Sequence, residues 1–489
     1  MDRLPLPSLD GSAEEFAALR NQLAASEFTQ AAICRRLRLG RLAAIDAETV
    51  RARDSGALVC GSDVLIRLFL EGWPVRREAL DGLLPEGLRV HLQGLNLIVP
   101  DDGDSYAATV TLYPVENLYI ASDRYNNADG SPFVGANDMV YQCLFPTTER
   151  LITGVPRRAC DSVLDMCAGC GVGALLSAEN ATRVLAVDLA GRSVHFVRFN
   201  AKLNGFSNVE ARQGNLYEPV GQEQFDRIEA HPPYQPVWRP LQMYNSGGID
   251  GEAVAKGVLE GAPAHLKQGG RLYCLCQLSD RERLAEARVR QWLSAEESSS
   301  TDIAFVCFDH RNLIEYTAIS ALSEGWHAEE WKEWVNLLRP LGVRNMAYGI
   351  LVLQRAAEQR AVFTIRREGP AARAAEIAAL TDGETEAAQP GFAERAAAMR
   401  LRLGSECDLQ VRCRAEAGAW QASGATLRSA KPFRAAVQVD SLTMSLVARL
   451  DGEKPLCDHL RAVSLHAPAE QVAALVRMLV SNGFAEVVR

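Results

Sequence analysis

The sequence predicts an α/β fold, with a doubly wound, mostly parallel sheet at its centre and smaller units on either side. Between residues 155 and 356, short apolar strands alternate with helical stretches, which is typical of a parallel sheet covered by helices on both faces. A glycine-rich turn, 169–173, follows the first of these strands and opens a helix. The first two strands end in acidic residues, Asp165 and Asp188.

The composition indicates a globular protein of several domains. The chain has 489 residues, of which 48% are hydrophobic and 23% charged, and this length predicts two or three domains. The net charge of -9 argues against a large nucleic-acid-binding surface, which usually requires clustered Lys and Arg. The N-terminal residues show no signal or transit pattern, and no run of about 18 apolar residues occurs. We therefore expect a cytoplasmic protein that does not insert in a membrane.

The twelve cysteines are scattered along the chain and mostly lie in apolar stretches such as "YCLCQL". Without a secretory pattern they predict reduced, buried thiols rather than a disulfide framework. Cys167 and Cys170 have the spacing of a metal or redox pair, but no second pair lies nearby to complete a four-ligand site. We expect no metal.

The pattern divides the chain into three predicted domains. Residues 1–150 are predicted to form an α+β substrate-recognition domain, in which helices precede two paired strands, "RVHLQGLNLIVP" and "YAATVTLYPV". Residues 151–356 are the predicted cofactor-binding domain. Residues 357–489 begin with an Ala- and Glu-rich stretch that contains the predicted exposed linker "TDGETEAAQPG", and from about residue 430 they continue as strand, helix, turn, helix, helix, strand. The two flanking domains are predicted to be winged-helix-like.

The central domain shows its strands as short apolar runs bounded by polar residues or glycine. The predicted strands are Ser162–Cys167, Arg183–Asp188, Val209–Gln213, Asp226–Glu229, Arg271–Gln277, Ile303–Phe308 and Met346–Gln354. The predicted helices between them include Ser193–Leu203 and Arg281–Ser294.

The first strand, its glycine turn and the second strand predict a ligand that carries a nucleoside. Glycines at 169, 171 and 173 let the backbone turn tightly and approach a ligand closely. Asp188 lies 188 − 165 = 23 residues after Asp165, near the spacing at which an acidic residue accepts hydrogen bonds from ribose hydroxyls. Both NAD and S-adenosylmethionine fit this pattern.

The fourth strand is followed by "HPPYQP", where His231 and Tyr234 flank two prolines. Because neither proline has an N–H to donate, the chain leaves the sheet here in a stiff, extended turn. Such an elbow holds donors and acceptors in fixed positions.

These motifs resemble the class I S-adenosylmethionine-dependent methyltransferases. "LDMCAGCGVGAL" is similar to the first motif of that family, and "AVDLAGRSVHFVRFNAKLNG" is similar to the second. "HPPY" resembles the Asn-Pro-Pro-Tyr elbow of the branch that includes release-factor glutamine methyltransferases and enzymes that methylate exocyclic amines of bases. The segment beginning "NSGGIDGEAVAKGV" resembles a later Gly-Gly-x-Asp-Gly motif. The resemblance covers about residues 155–280.

The resemblance implies a Rossmann-like fold, S-adenosylmethionine as cofactor, and a set of site residues. Asp165 and the 169–173 backbone are implied to hold the methionine part, Asp188 the ribose hydroxyls, and Asn215 the adenine, where the family usually has an acidic residue. The implied cofactor-binding residues are Asp165, Cys167, Gly169, Gly171, Gly173, Asp188, Leu189, Asn215, Leu216 and His231. The implied catalytic residues are His231, Pro232 and Tyr234.

His231 departs from the family pattern, which has Asn at this place. A neutral imidazole has one donor and one acceptor, and its ordinary pKa near 6.5 suits a general base. His231 is therefore either a base that removes a proton from the acceptor or a group that reproduces the hydrogen bond of the Asn amide. The carbonyl oxygens near Pro232 are expected to accept from an attacking amine, and Tyr234 is expected to form one wall.

The sequence thus predicts an enzyme that transfers a methyl group to a polar N or O atom of a small metabolite or peptide-like substrate. The alternatives are methylation of a protein amide, methylation of a nucleic-acid base amine, and a catalytically silent S-adenosylmethionine-binding protein. A nicotinamide-dependent oxidoreductase fits less well. The segment 121–142 and the residues around Tyr244 are candidates for covering the site, and a homodimer is left open.

Overall fold

A computed structural model of the chain describes residues 5–41, 57–125, 135–143, 145–237, 243–323, 325–416 and 418–488. The chain forms two compact units. The first unit contains Met1–Ile152 and Arg157–His265, and the second contains Thr153–Pro156 and Leu266–Arg489. In the part of the chain that the structure describes, no helix is both long enough and apolar enough to cross a bilayer.

The first unit begins with short helices and two small antiparallel sheets. The helices are α1 (Ala13–Ala25), α2 (Gln30–Leu37), α3 (Gly61–Ile66), a π-helical turn (Arg67–Glu71), α4 (Arg77–Leu83) and α5 (Leu88–Gly94). The strands are β1 (Val75–Arg76), β2 (Ile98–Asp101), β3 (Ser105–Ala108), β4 (Val110–Val115) and β5 (Leu118–Asp123). One sheet has the order β1-β3-β2, and β4 pairs with β5.

The predicted strand "RVHLQGLNLIVP" is wrong in its first half. Residues 88–94 form helix α5, because Leu88 and Leu92 are four residues apart and both are fully buried on one helical face. Only the last three residues of that stretch, 98–100, belong to a strand, β2, which pairs with β3.

The parallel sheet predicted for the centre is confirmed in the first unit. Its strands are β6 (Cys160–Met166), β7 (Ala181–Asp188), β8 (Val209–Gln213) and β9 (Phe225–Ala230). They lie in the order β9-β6-β7-β8, and every neighbouring pair is parallel. The helices of this part are α6 (Pro146–Gly154), α7 (Val172–Ala178), α8 (Gly191–Asn204) and α9 (Ala253–His265).

Helix α8 connects the N-terminal strands to the parallel sheet. The Asn200 side chain accepts from the N–H of Ala121 on β5 and donates to the carbonyls of Ala121 and Cys170, at 2.8, 2.9 and 2.9 Å. Arg192, near the start of α8, donates through Nε to Asp123 Oδ2 at 2.7 Å. The N-terminal strands therefore form one unit with the glycine-rich turn.

The second unit contains a further set of strands: β10 (Leu266–Asp280), β11 (Thr301–Asn312), β12 (Asn345–Arg355) and β13 (Thr364–Glu368). They lie in the order β13-β11-β12-β10. Its first helices are α10 (Ala285–Trp292), α11 (Ala295–Ser300), α12 (Leu313–Ser323) and α13 (Ala328–Leu338), followed by a 3-10 turn (Arg339–Leu341).

Strand β12 is antiparallel to both of its neighbours, and only β11 and β13 are parallel. The chain leaves β11 at Asn312 and enters β12 at Asn345, and these two residues face each other across the pair. The helical connection thus returns the chain to the end that it left, which makes the pair antiparallel.

The C-terminal part of the second unit is built from short helices and strands. The helices are α14 (Ala374–Ala387), α15 (Phe392–Ala396), α16 (Ser441–Val447), α17 (Leu456–Ala462) and α18 (Ala469–Ser481). The strands are β14 (Arg400–Leu403), β15 (Cys407–Glu416), β16 (Ala419–Ser429), β17 (Ala435–Val439), β18 (Asp451–Pro455) and β19 (Ala485–Val488). Strand β18 pairs with β14.

The predicted exposed linker "TDGETEAAQPG" is wrong. Most of it belongs to helix α14, where Thr381 and Glu384 are each 1% exposed. Glu384 is buried because its carboxylate has partners: Arg477 Nε donates to Oε2 at 2.7 Å, and the Ser481 hydroxyl donates to Oε1. The three-domain division and the winged-helix-like character of the flanking domains stay predictions.

Replacing Glu384 with Ala is expected to lower the free energy of unfolding by about 3 kcal/mol, because cationic partners lose a buried carboxylate. Chemical denaturation followed by circular dichroism measures this change. Glu386→Ala is the matched control on the same helix, since Glu386 pairs with Arg395 at 2.8 Å on the surface, where both side chains are about half exposed. Equal effects of the two substitutions would contradict the structural role of Glu384.

Candidate functional site at the carboxyl ends of the parallel strands

The predicted site residues meet at one edge of the parallel sheet in the first unit. In the strand register, Asp165 on β6 lies beside Ala186 on β7 and Glu229 on β9. Asp188 on β7 lies beside Gln213 on β8. Because all four strands are parallel, the segments that follow them emerge at the same edge. These segments carry the glycine turn, Asp188, Asn215 and His231.

The glycine-rich turn is closely packed at Gly171 and Gly173 and open at Gly169. Gly169 and Gly171 have φ angles of 56° and 81°, in the left-handed region that favours glycine. A Cβ at Gly171 would lie 3.0 Å from Val197, and a Cβ at Gly173 would lie 3.1 Å from both carboxylate oxygens of Asp165. A Cβ at Gly169 would instead meet open space. The turn therefore packs closely on its inner side and is open at Gly169.

Asp188 joins the second strand to the glycine turn. Its Oδ2 accepts from the N–H of Gly169 and its Oδ1 from the N–H of Ala190, both at 2.9 Å. Burial raises the pKa of this carboxyl above its ordinary value, and the two backbone hydrogen bonds oppose that rise. The residue as a whole remains partly exposed.

Asp165 is more deeply buried, with 3% of its surface exposed. Its Oδ2 accepts from the N–H of Ala174 at 2.8 Å. Burial, and then the nearby charge of Glu229, raise the pKa of Asp165 to about 8, whereas the Ala174 N–H and Arg157 act in the opposite direction. The Asp165 carboxyl is therefore mostly protonated at neutral pH.

The other predicted cofactor residues lie along the same edge. The N–H of Gly214 donates to the Asp188 carbonyl at 3.0 Å, which places the turn after β8 beside β7. Leu189 is 52% exposed and Asn215 is also exposed. Leu216 is partly buried and packs toward Gly257 of α9, where a Cβ would lie 2.6 Å from its Cδ1.

The elbow begins with His231, directly after β9. The rings of His231 and Tyr234 are roughly parallel, with centroids 5.8 Å apart and planes at 29°. Burial lowers the pKa of His231 to about 4, so the imidazole is neutral at physiological pH. A group with so low a pKa is a weak proton acceptor at neutral pH.

A glycine-rich segment, 245–251, supports the elbow. The N–H of Gln235 donates to the Asn245 carbonyl at 3.1 Å, and the N–H of Gly247 donates to the Gln235 carbonyl at 3.0 Å. A Cβ at Gly247 would lie 2.8 Å from Tyr234 Cα, and one at Gly251 would lie 2.4 Å from the Tyr234 carbonyl oxygen. The Gly-Gly-x-Asp-Gly motif therefore permits close packing against the elbow backbone.

The segment before α6 also reaches this region. Within the predicted covering segment 121–142, residues 126–134 lie outside the described part of the chain. The remainder places the Tyr141 ring against that of Tyr244, with centroids 5.1 Å apart and planes at 23°. The N–H of Met243 donates to the Asn137 carbonyl at 3.1 Å, and that of Val140 donates to Asp123 Oδ2 at 2.8 Å. An aromatic pair thus lies next to the elbow's supporting segment.

The sequence analysis missed a buried charged group beneath the site. Glu229 is fully buried, and its Oε1 accepts from the Ser177 hydroxyl at 2.5 Å and from Arg227 Nε at 2.8 Å. Arg157 lies 3.7 Å from Oε2. A sequence signal for this group exists, because Glu229 is a charged residue in the otherwise apolar second half of strand β9. The sequence alone does not show which residues pair with it.

The Cys167 and Cys170 pair has no partners for a metal. All twelve cysteines are free thiols. Among the described residues, no group of three or more His, Cys, Asp or Glu side chains could hold a metal ion. Burial raises the pKa of Cys167 well above its usual range, so the thiol is protonated.

Comparison with known proteins gives matches over this part of the chain. Residues 143–286 match the family model described as the methyltransferase small domain. The ribosomal protein uL3 glutamine methyltransferase of Bradyrhizobium diazoefficiens is 31% identical over 158 residues, which are 29% of this chain and 49% of that protein. The release factor glutamine methyltransferase of Xylella fastidiosa is 35% identical over 123 residues, 22% of this chain and 44% of that protein. The chain spans about half the length of these curated relatives.

Solved structures give weaker likenesses. A ribosomal protein L11 methylase from Lactobacillus delbrueckii subsp. bulgaricus has a TM-score of 0.23 and 17% identity, over 40% of this chain and 69% of that one. M. jannaschii TYW2 in complex with AdoMet has a TM-score of 0.27 and 13% identity, over 50% of this chain and 85% of that one. The fold is defined by the strand order given above.

Gly251→Ala is expected to destabilise the first unit more than Gly221→Ala does. Both glycines have a left-handed backbone, with φ angles of 80° and 66°, so the backbone strain is similar. Only at Gly251 would the new Cβ meet the Tyr234 carbonyl, whereas at Gly221 nothing lies within 4 Å. Overpacking adds about 1–3 kcal/mol. Denaturant unfolding of both variants measures the difference, and equal losses would mean that the elbow is not supported at Gly251.

The family model matches the same stretch of the chain that carries the sequence motifs and the strand edge. The glycine turn, the two acidic strand ends and the His-Pro-Pro-Tyr elbow all lie within residues 143–286. This segment is similar to the class I S-adenosylmethionine-dependent methyltransferases, and within them to the glutamine methyltransferases of release factors and of ribosomal protein uL3.

Proposed function

We propose that this protein is an S-adenosylmethionine-dependent methyltransferase that methylates a polar nitrogen or oxygen atom at the 231–234 elbow. The observation that carries the proposal is the meeting of three features at one sheet edge. These are the glycine turn with its acidic strand ends, the turn after β8, and the elbow. The family match over residues 143–286 supports it.

The site suits the chemical groups of S-adenosylmethionine. The Asp188 carboxylate would accept from the ribose hydroxyls, and the open turn at Gly169 lets the ligand approach the backbone. Asp165 and the 169–173 backbone, with Cys167 at its start, would hold the methionine part. Leu189, Asn215 and Leu216 would flank the adenine. When bound, the cofactor supplies a methyl group already activated on a sulfonium.

The elbow would orient the acceptor, and the proton that the methylated nitrogen loses would pass to solvent rather than to His231. A neutral His231 ring offers one nitrogen that accepts from an amide or amine N–H. A backbone carbonyl near Pro232 would accept a hydrogen bond from the second N–H of that group. The Tyr234 ring would form one wall of the acceptor site and contact a planar group. Fixing the nucleophile in line with the methyl group contributes most of the rate enhancement when the leaving group is already activated.

We infer that the acceptor is a side-chain amide of a polypeptide. A neutral imidazole reproduces the hydrogen-bond acceptor of the Asn found in the family, and the relatives' names refer to glutamine in release factors and ribosomal protein. The N-terminal domain, 1–150, and the C-terminal domain, 357–489, would supply recognition as winged-helix-like units. A cytoplasmic location belongs to this proposal, because release factors and ribosomal proteins are parts of the translation machinery.

Asp188→Ala is expected to weaken S-adenosylmethionine binding by more than about tenfold, because a hydrogen bond to a charged group contributes about 1.5–3 kcal/mol. Isothermal titration calorimetry measures the affinity. Glu223→Gln serves as control, since it removes a carboxylate of the same unit that pairs with Arg183 and Arg212. Unchanged affinity in Asp188→Ala would rule out the ribose contact.

His231→Asn is expected to keep turnover within about threefold of the original, with little change between pH 6 and 9, because the amide supplies the same acceptor. His231→Ala should lower turnover by roughly tenfold or more, since it leaves the acceptor unoriented. Steady-state kinetics with a methylated product as readout tests both variants. A loss in His231→Asn as large as that in His231→Ala would restore the general-base interpretation.

The substrate class is tested with methyl-labelled S-adenosylmethionine, purified protein and an extract of the organism that encodes it, separated by size. Label in a polypeptide, released as N-methylglutamine after enzymatic digestion, supports the proposal. Label in the small-molecule fraction would indicate instead that the acceptor is a small metabolite. Label on nucleic acid would indicate that the acceptor is a base amine. Binding of S-adenosylmethionine without any labelled product would favour the silent binding protein.

A further inference from the structure

Two buried carboxyl groups lie side by side beneath the proposed cofactor site. Asp165 on β6 and Glu229 on β9 are neighbours in the parallel register, and they are 3% and 0% exposed. Two adjacent buried carboxyl groups cannot both be charged without strong repulsion. One of them is therefore expected to keep its proton.

The hydrogen-bond partners decide which carboxyl keeps the proton. Glu229 accepts from the Ser177 hydroxyl and from Arg227 Nε, and Arg157 lies 3.7 Å away. Asp165 accepts a hydrogen bond from the N–H of Ala174, a neutral donor. The cationic partners stabilise the charge on Glu229, and that charge in turn disfavours ionisation of Asp165.

The remaining charged and titratable groups around Asp165 do not reverse this order. Asp188, at the end of β7, adds negative charge, and Arg157 adds positive charge from the segment before β6. Cys167, two residues along the chain, is protonated because of its burial. The direction of the Asp165 pKa, raised to about 8, agrees with the geometry.

We propose that burial, reinforced by Glu229 as a positioning residue, keeps the Asp165 carboxyl protonated until a cationic amino group binds there, so that cofactor binding releases one proton. The inference rests on the proposed function. The balance is simple: the neutral carboxyl and the ammonium of the ligand form a carboxylate–ammonium pair, and the proton passes to solvent. Cofactor affinity then rises with pH toward about pH 8, where about half of the carboxyl is ionised without the ligand.

Calorimetry in buffers of unequal protonation enthalpy counts the protons released when S-adenosylmethionine binds. The titration is done at pH 6.5, where the ligand's own amino group, with an ordinary pKa of about 7.7–8.0, is still protonated. The unsubstituted protein is expected to release close to one proton. Glu229→Gln, which retains an acceptor for Ser177 and Arg227, is expected to release measurably less, because the charge of Glu229 is lost while the burial of Asp165 remains. Glu223→Gln should behave like the unsubstituted protein.

Two results would overturn the inference while leaving the proposed function intact: S-adenosylmethionine binding with no proton release, or equal release in Glu229→Gln. Absence of any S-adenosylmethionine binding by the folded, unsubstituted protein would instead overturn the proposed function, and this inference with it. The two failures are therefore distinguishable in one experiment.

Thermal unfolding without cofactor tests the protonated state even if Glu229→Gln does not fold. An Asp whose pKa is higher in the folded than in the unfolded state contributes stability that is present at low pH and lost as pH rises through about 8. Compared with Asp165→Asn, the Tm of the unsubstituted protein should fall progressively between pH 5 and pH 8. A Tm difference that stays constant over this range would overturn the inference.

Discussion

The packing of the glycine turn against the Asp165 carboxyl is the constraint on which the rest of the site depends. Gly173 has no Cβ, and one placed there would lie 3.1 Å from both Asp165 oxygens. The close approach lets the next residue, Ala174, donate its N–H to that carboxyl at the start of α7. The turn, the helix and the end of β6 are thus fixed together, and Asp188 holds the turn from the neighbouring strand.

The same region depends on residues far away in the sequence. The amide of Asn200 bonds both to β5 and to the carbonyl of Cys170 in the glycine turn, so the N-terminal strands and the turn share one buried side chain. Asp123 accepts from Arg192 and from the N–H of Val140, and it thereby positions the segment that carries Tyr141. The N-terminal part is consequently part of the scaffold of the site, whatever its role in recognition.

Burial gives the polar groups of the site unusual protonation states. Asp165 is mostly neutral at pH 7, and His231 is neutral as well, because each loses the stabilisation that water gives to its charged form. A neutral imidazole on a stiff elbow is closer in chemistry to the Asn amide of the family than the sequence change suggests. The proposed function therefore gives His231 an orienting role and takes an amide as the acceptor.

The sequence by itself determined the parallel strands, the glycine turn and the acidic strand ends, because these follow from local apolar patterning and from glycine's access to positive φ. Each predicted strand between 155 and 356 is present, although β10 begins at Leu266 rather than Arg271. Only the tertiary structure decided features that depend on distant partners. Glu384 appeared to belong to a solvated linker, yet Arg477 and Ser481 stabilise it in a buried helix. Glu229 has its buried partners Ser177 and Arg227 from other parts of the chain or strand, and burial lowers the pKa of His231, which no local pattern encodes.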